Sequence, residues 1–378
     1  MTKLHQLADL GQSVWYDFIR RSLITSGELQ QLIDQGVRGI TSNPAIFEKA
    51  IAGSKDYDEA LENLAGDNLE VKEIYETLAL ADIAQAADLL RPVYDASQGR
   101  DGFVSLEVSP ELAYDTASTV AEARRLFETL ARPNVMIKVP ATAQGLPAVS
   151  ELTGLGVNVN VTLIFSVSNY QDVAAAYLAG LEGLARQGPR VTGGVVLDRI
   201  GSVASFFVSR LDSAVDKLLE SKGQKSLAGK VAVANAKVAY DRFQQIFSGP
   251  RWDALAAQGA RVQRVLWAST STKNPDYRPT LYVDELIGPQ TVNTVPPATL
   301  DRFMTDGKVA ETLTQGLDEA RGHLSALSEQ GIDLEAVTRQ LQTDGVTAFA
   351  TPFESLMATI AAKRKALGSS KKKASGLG

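Results

Sequence analysis

Eight short apolar runs, separated by segments with the spacing of amphipathic helices, restrict the fold of this chain more than any other feature. They span residues 13–18, 39–41, 103–108, 135–139, 157–165, 203–208, 262–269 and 291–295. Such runs joined by helical crossovers are the pattern of an α/β protein with a parallel sheet. A helix is predicted from Ser26, with Leu29, Leu32 and Ile33 on one face and Gly36 closing it. Another is predicted over 116–130, where Val120, Ala123, Phe127 and Leu130 share a face. Further helices are predicted from Ser168, over 229–247 and from Leu300 onward. Residues 45–91 are mostly helical, and nothing comparable separates the later runs, so they read as helices inserted around one β–α unit.

The interior holds no linker rich in proline, glycine or serine and no short-period repeat. Eight runs in one chain therefore point to a closed (β/α)8 TIM barrel, a single domain over residues 1–367 with inserted helices. Residues 368–378, GSSKKKASGLG, are small, polar and basic and are expected to form a disordered tail. A doubly wound open sheet is the alternative, although the glycine-rich turn of a dinucleotide site is missing after the first run.

The chemistry open to the chain is narrowed by what it lacks. It has no cysteine and only two histidines, His5 and His323, so thiolate catalysis, serine–histidine triads and histidine-rich metal sites have no parts to work with. Acid–base work falls to carboxylates, lysine, tyrosine or water, with no metal and no cofactor expected. A net charge of −6 argues against general nucleic-acid binding, yet a few local cations suffice to hold a phosphate. The start, MTKLHQLADLGQSVW, lacks the long apolar core of a signal peptide, and no run reaches the length of a membrane span. A cytoplasmic protein without membrane partners is expected.

Within the fourth run, VMIKVPAT at 135–142, Lys138 sits among Val135, Met136, Ile137 and Val139. Lysine is rarely buried, burial disfavours its charged form, and a desolvated amine adds to carbonyls as a Schiff base. A strand-end lysine that snorkels to water or pairs with a carboxylate is the plainer alternative. In a barrel, residues at the C-terminal ends of strands converge on one mouth. Here that set is Asp17, Asn43, Glu107, Lys138, Asn160 with Thr162, and Ser269. It holds one amine, two carboxylates and several neutral hydrogen-bonding groups, as a Schiff-base enzyme requires. Each has a plainer role: Asp17 as a helix cap or partner of Arg20 or Arg21, Asn43 as a turn residue, Glu107 as a structural partner of Lys138. Asn160 and Thr162 alternate with Val159, Val161 and Leu163 and so share a face. Lys237, amid small apolar residues, reads as a solvated helix position.

TSNPAIF at 41–47, SLEVSPELAYD at 105–115, MIKVPAT at 136–142 and VNVTLIFS at 159–166 resemble the transaldolase family. WASTSTKNP at 267–275 and TLYVDELIGPQTVNTVP at 280–296 are similar to its longer bacterial branch. The resemblance implies a barrel of the class I aldolase type, with the Schiff base on Lys138 and Asp17 as the base for carbon–carbon cleavage. It implies that Glu107 and Thr162 hold a catalytic water, and that Asn43 and Asn160 bind the dihydroxyacetone hydroxyls. Ser205 would be a further substrate contact, Phe207 would close the pocket, and Arg210 with Ser269 would bind phosphate. Many members carry an arginine where this chain has Ser271, and Lys273 is the expected substitute cation.

The implied reaction belongs to the pentose phosphate shunt. A dihydroxyacetone unit passes between sedoheptulose 7-phosphate or fructose 6-phosphate and glyceraldehyde 3-phosphate or erythrose 4-phosphate. Two rivals stand beside it. An aldolase of the same superfamily would release free dihydroxyacetone, but those relatives tend to be shorter and to carry glutamine in place of Glu107. A non-catalytic sugar-phosphate binder would not require Asp17, Glu107 and Lys138 together.

Overall fold

A parallel sheet covered by helices outside and filled by side chains inside leaves its strands no wet face, which is why the eight runs read as nearly continuous apolar segments. In the computed structural model, which describes residues 1–64, 69–187 and 197–375, they are β1 (Gln12–Tyr16), β2 (Gly39–Thr41), β3 (Phe103–Glu107), β4 (Val135–Pro140), β5 (Val159–Ile164), β6 (Ser202–Phe207), β7 (Arg264–Ala268) and β8 (Thr291–Val295). They pair in chain order, all parallel, and β8 returns to β1 through Gln12↔Thr291 to Tyr16↔Val295. The sheet is a closed barrel, and the open-sheet alternative falls.

Several strands are shorter than their apolar runs. β1 ends at Tyr16 and β7 begins at Arg264, although Phe18 and Val262 continue the apolar character. Both of those side chains pack, partly buried, against the core without being strand-paired. Apolar spacing reports burial, and pairing stops earlier. Asp17 and Ser269 therefore lie just past their strands, Ser269 at φ +56.

Alternation divides each strand between the two faces. Val135, Ile137 and Val139 join the large outer core with the helices. Met136 packs inside the barrel with Trp15, Phe103, Val203, Leu266 and Val292. One step along on the same face, that apolar plug gives way to Lys138 on β4, Ser105 and Glu107 on β3, and Ser205 on β6. β5 carries a register shift against β6 between Val161 and Ile164, with Leu163 at φ +63. A bulge of this kind re-aims side chains, and Leu163 joins Phe165, Phe207, Val346 and Phe349 in the inner cluster.

The expected helix Thr116–Leu130 is capped by Asp115, which accepts from Ser118 N at 3.0 Å. Val167–Arg186 is capped in the same way by Ser166, and Val231–Ile246 follows the spacing read from the sequence. The 45–91 segment forms helices Pro44–Ala52, Asp58–Leu64 and Val71–Ala96. It is anchored by a buried group: Asp82 accepts from Arg21 Nε at 2.9 Å and Tyr57 Oη at 2.7 Å. Helices Lys3–Asp9, Gly145–Gly154 and Ser209–Ser221 lie outside the sequence expectation. Lys237 is half-buried rather than solvated, because its ammonium reaches Gln315 O at 2.8 Å.

The last helix, Leu334–Ser375, crosses the C-terminal mouth. Gln342 Nε2 donates to Ala141 O at 2.9 Å and Leu163 O at 3.1 Å. Gly345 lets the helix approach, since a Cβ there would lie 2.9 Å from Leu163 Cδ2. Farther along, Phe353 meets Tyr75 edge-on at 5.6 Å, and Lys363 Nζ holds Ile51 O and Asp58 Oδ1, each at 2.9 Å. This helix runs into the segment 368–378 for which composition suggests disorder, and residues 376–378 lie outside the described residues. Among the described residues no helix is long and apolar enough to cross a membrane.

Candidate active site

Register places the charged pair. Glu107 on β3 lies opposite Lys138 on β4, and Lys138 lies opposite Asn160 on β5. Lys138 is 6% exposed and Glu107 8%, so neither head group snorkels to solvent. Lys138 Nζ stands 3.5 Å from Glu107 Oε2 and donates to Ser42 O at 3.0 Å. Burial raises the Glu107 pKa above the ordinary carboxylate range, with Lys138 opposing that shift. Among the described residues neither Glu107 oxygen has a hydrogen-bond partner, and the same is true of the buried Thr162 hydroxyl. Buried oxygens without a hydrogen bond are costly, and here three of them lie beside the Lys138 amine.

Asp17, directly after β1, accepts from Thr41 Oγ1 at 2.8 Å, and Thr41 in turn meets Thr294 Oγ1 at 2.8 Å. It pairs with neither Arg20 nor Arg21, whose partners are Glu28 and Asp82. Burial pushes the Asp17 pKa up, and Lys138 is the largest opposing influence. Asn43 is the cap of helix Pro44–Ala52. Its Oδ1 accepts from Ile46 N at 3.0 Å, which leaves Nδ2 for the cavity. Asn160 is held at both ends, donating to Ser105 Oγ at 3.0 Å and accepting from Ser205 Oγ at 2.6 Å.

The outer end of the site is cationic. Arg210, in the first turn of helix Ser209–Ser221, lies with its guanidinium carbon 5.2 Å from the Phe207 ring and 5.9 Å from Phe349. Burial lowers its pKa. Ser269 Oγ is 2.9 Å from Ser209 Oγ. Lys273 Nζ donates to Ser271 Oγ at 2.6 Å, so the two side chains form one unit. Burial, then the neighbouring Arg210, pulls the Lys273 pKa down.

These groups enclose a cavity of about 150 Å³ at the C-terminal mouth. Of the residues singled out from the sequence, Asp17, Asn43, Lys138, Thr162, Ser205, Phe207, Arg210, Ser269 and Lys273 line it. Glu107 lies directly beside Lys138, and Asn160 lies behind Ser205. Five lining residues were missed by sequence reasoning: Thr41, Ala268, Thr294, Pro296 and Phe349. Phe349 comes from the last helix, with its ring centroid 5.8 Å from Lys138 Nζ. Its spacing with Phe353 is that of any apolar helix face, so nothing local sets it apart.

The geometry combines a buried amine, two carboxylates whose pKa values are raised and a cationic end, which suits carbonyl addition on a phosphorylated substrate. Comparison with known proteins agrees. The family described as Transaldolase/Fructose-6-phosphate aldolase matches residues 14–360. Transaldolase 1 of Streptomyces avermitilis is 47% identical, covering 97% of this chain and 96% of its own. Transaldolase 1 of Streptomyces coelicolor is 49% identical over 94% and 93% of the two chains. The transaldolase of Neisseria gonorrhoeae is 48% identical over 95% of this chain and 100% of its own. The chain belongs to the transaldolase/fructose-6-phosphate aldolase family and, within it, to the transaldolases.

Proposed function

We propose that this chain transfers a dihydroxyacetone unit between sugar phosphates through a Schiff base on Lys138. The donors are sedoheptulose 7-phosphate and fructose 6-phosphate, and the acceptors are glyceraldehyde 3-phosphate and erythrose 4-phosphate. The activity is that of the pentose phosphate shunt in the cytoplasm, carried by a single barrel domain over residues 1–367.

Lys138 passes a proton to Glu107, whose raised pKa favours accepting it, and the free amine adds to the ketone carbon. The carbinolamine then loses water, with Glu107 and the Thr162 hydroxyl holding the water molecule that relays protons. Asp17 removes the proton from the C4 hydroxyl, and the C3–C4 bond breaks. Its electron pair flows into the protonated imine, giving an enamine on Lys138, and the first aldose leaves. The acceptor aldehyde adds to the enamine, Asp17 returns its proton, and water releases the new ketose.

Asn43 Nδ2 and the Asn160–Ser205 pair bind the hydroxyls of the three-carbon unit. Phe207 closes the pocket, and Arg210 with Ser269 and Lys273 receives the phosphate. The observation that carries this reading is the buried Lys138 ammonium, 3.5 Å from one carboxylate and sharing its cavity with Asp17.

The test is borohydride reduction of the protein mixed with fructose 6-phosphate, followed by peptide mass mapping. A reduced three-carbon adduct on Lys138 is the expected result. A folded protein that yields no adduct would overturn the mechanism, and an adduct on another lysine would overturn the site. Omitting the acceptor aldose then separates transfer from cleavage, since free dihydroxyacetone should be a minor product.

A further inference from the structure

The opposite end of the barrel holds a larger concavity that the transfer reaction does not use. It measures about 780 Å³ and is lined at the strand starts by Phe103, Ser202 and Arg264. Strands of three to six residues at roughly 3.3 Å per residue separate it from the Lys138 mouth. Among the described lining residues four arginines, Arg38, Arg100, Arg261 and Arg264, stand against one carboxylate, Asp101, with Asp198 acting on Arg261 from outside the lining. The Asp101 carboxylate is already engaged by Ser13 Oγ at 2.6 Å, Trp15 Nε1 at 3.3 Å and Arg264 at 2.9 Å.

A purely structural role accounts for two of the arginines. Arg261 clamps the carbonyls of Gln98 and Gly99, and Arg264 holds Asp101 and Arg100 O. It does not account for the other two. The Arg38 guanidinium has no partner among the described residues, and Arg100 is held only through Nε, by Ser97 O at 3.1 Å. Carbonyl clamps leave the positive charge in place, so the concavity carries a surplus of cations in a chain whose net charge is −6. Such clustering is self-repulsive until an anion enters, and guanidinium forks match phosphate oxygens. The volume is that of a small-molecule site, and Phe103 and Trp252 supply an apolar wall for an organic part.

We propose that this N-terminal cavity binds a multiply charged phosphorylated small molecule, with the Arg38 guanidinium and the terminal nitrogens of Arg100 receiving its phosphate groups. Nucleoside diphosphates and sugar bisphosphates share that chemistry.

The test is calorimetric titration of the full chain carrying Arg210→Ala and Lys273→Ala, which silences the anion end of the catalytic mouth. Inorganic pyrophosphate is the first probe, in about 0.1 M salt so that weak surface attraction is screened. One saturable site is expected, weakened about tenfold or more when Arg38→Ala and Arg100→Ala are added. Both arginines are at least partly exposed, so the added changes should leave the melting temperature in place. ADP and fructose 1,6-bisphosphate then identify the source, and one of them should bind more tightly than pyrophosphate. No saturable heat, an unchanged affinity after the added substitutions, or no gain from either organic ligand would each overturn the proposal.

Discussion

Asp17 shows how a residue suited to one chemical step works against the fold that holds it. Its raised pKa means the folded chain binds its proton more tightly than the unfolded chain does. Stability contributed by that proton is complete below the ordinary aspartate range and declines as pH rises through the folded pKa. Asp17→Asn should therefore leave the protein at least as stable as wild type to urea at pH 8, with the advantage gone near pH 4. Turnover should fall by about 10²–10⁴ if Asp17 is the proposed base for cleavage. A variant that keeps wild-type kcat would remove Asp17 from the mechanism.

At this scale much of the site is legible in the sequence. A lysine inside an apolar strand and two carboxylates at strand ends are incongruous locally, and incongruity is readable. Thr41, Thr294 and Phe349 are ordinary for the elements that carry them, and only the closure of the barrel and the path of the last helix make them neighbours of Asp17 and Lys138.

Among the elements, the helix Ser209–Ser221 carries Arg210 at its start and is fixed from behind by Asp212. That carboxylate accepts from Ala232 N at 2.7 Å and Tyr282 Oη at 2.8 Å. Burial pushes its pKa up to about 7. The folded state therefore holds an extra proton between the ordinary aspartate range and about pH 7, and stability should decline as pH rises across that window. Asp212→Asn keeps an acceptor for Ala232 and removes the penalised charge. The variant should gain on the order of 1–4 kcal/mol at pH 8 and nothing near pH 4, measured by urea unfolding.

The last helix makes a different prediction. Phe349→Ala removes the ring between Lys138 and Arg210 and should cost about 3–5 kcal/mol of stability. It should also lower kcat/KM about tenfold, and a change in stability without one in kcat/KM would reduce Phe349 to packing. The helices missed from the sequence fit the same physics. Gly145–Gly154 is bounded by glycines and contains Pro147, residues that signal a loop, and tertiary packing overrides them.

For the whole molecule, the strand count and order were legible because a covered parallel sheet writes its burial into composition. The route of the last helix was not, since amphipathic spacing says which face is buried and nothing about where. That helix ties residues far apart in sequence: Lys363 reaches Ile51 and Asp58, and Phe353 reaches Tyr75. The inserted helices beneath it hang on Asp82. Asp82→Ala would leave Arg21 without its buried partner and should cost about 3–5 kcal/mol. Hydrogen exchange should show the loss first in 44–64, while amides in the barrel strands keep their protection.

The order in which the chain is made adds a last consequence. Synthesis runs from the N-terminus, so all eight strands exist before Phe349 and the helix that carries it. A nascent barrel would hold Lys138 beneath an uncovered mouth, and the cover arrives only after every strand has been made. The Lys138 amine is thus covered by the same late event that ties Lys363 to Ile51 and Asp58. Chains cut short upstream of this helix would have every strand of a barrel and an open, unguarded lysine.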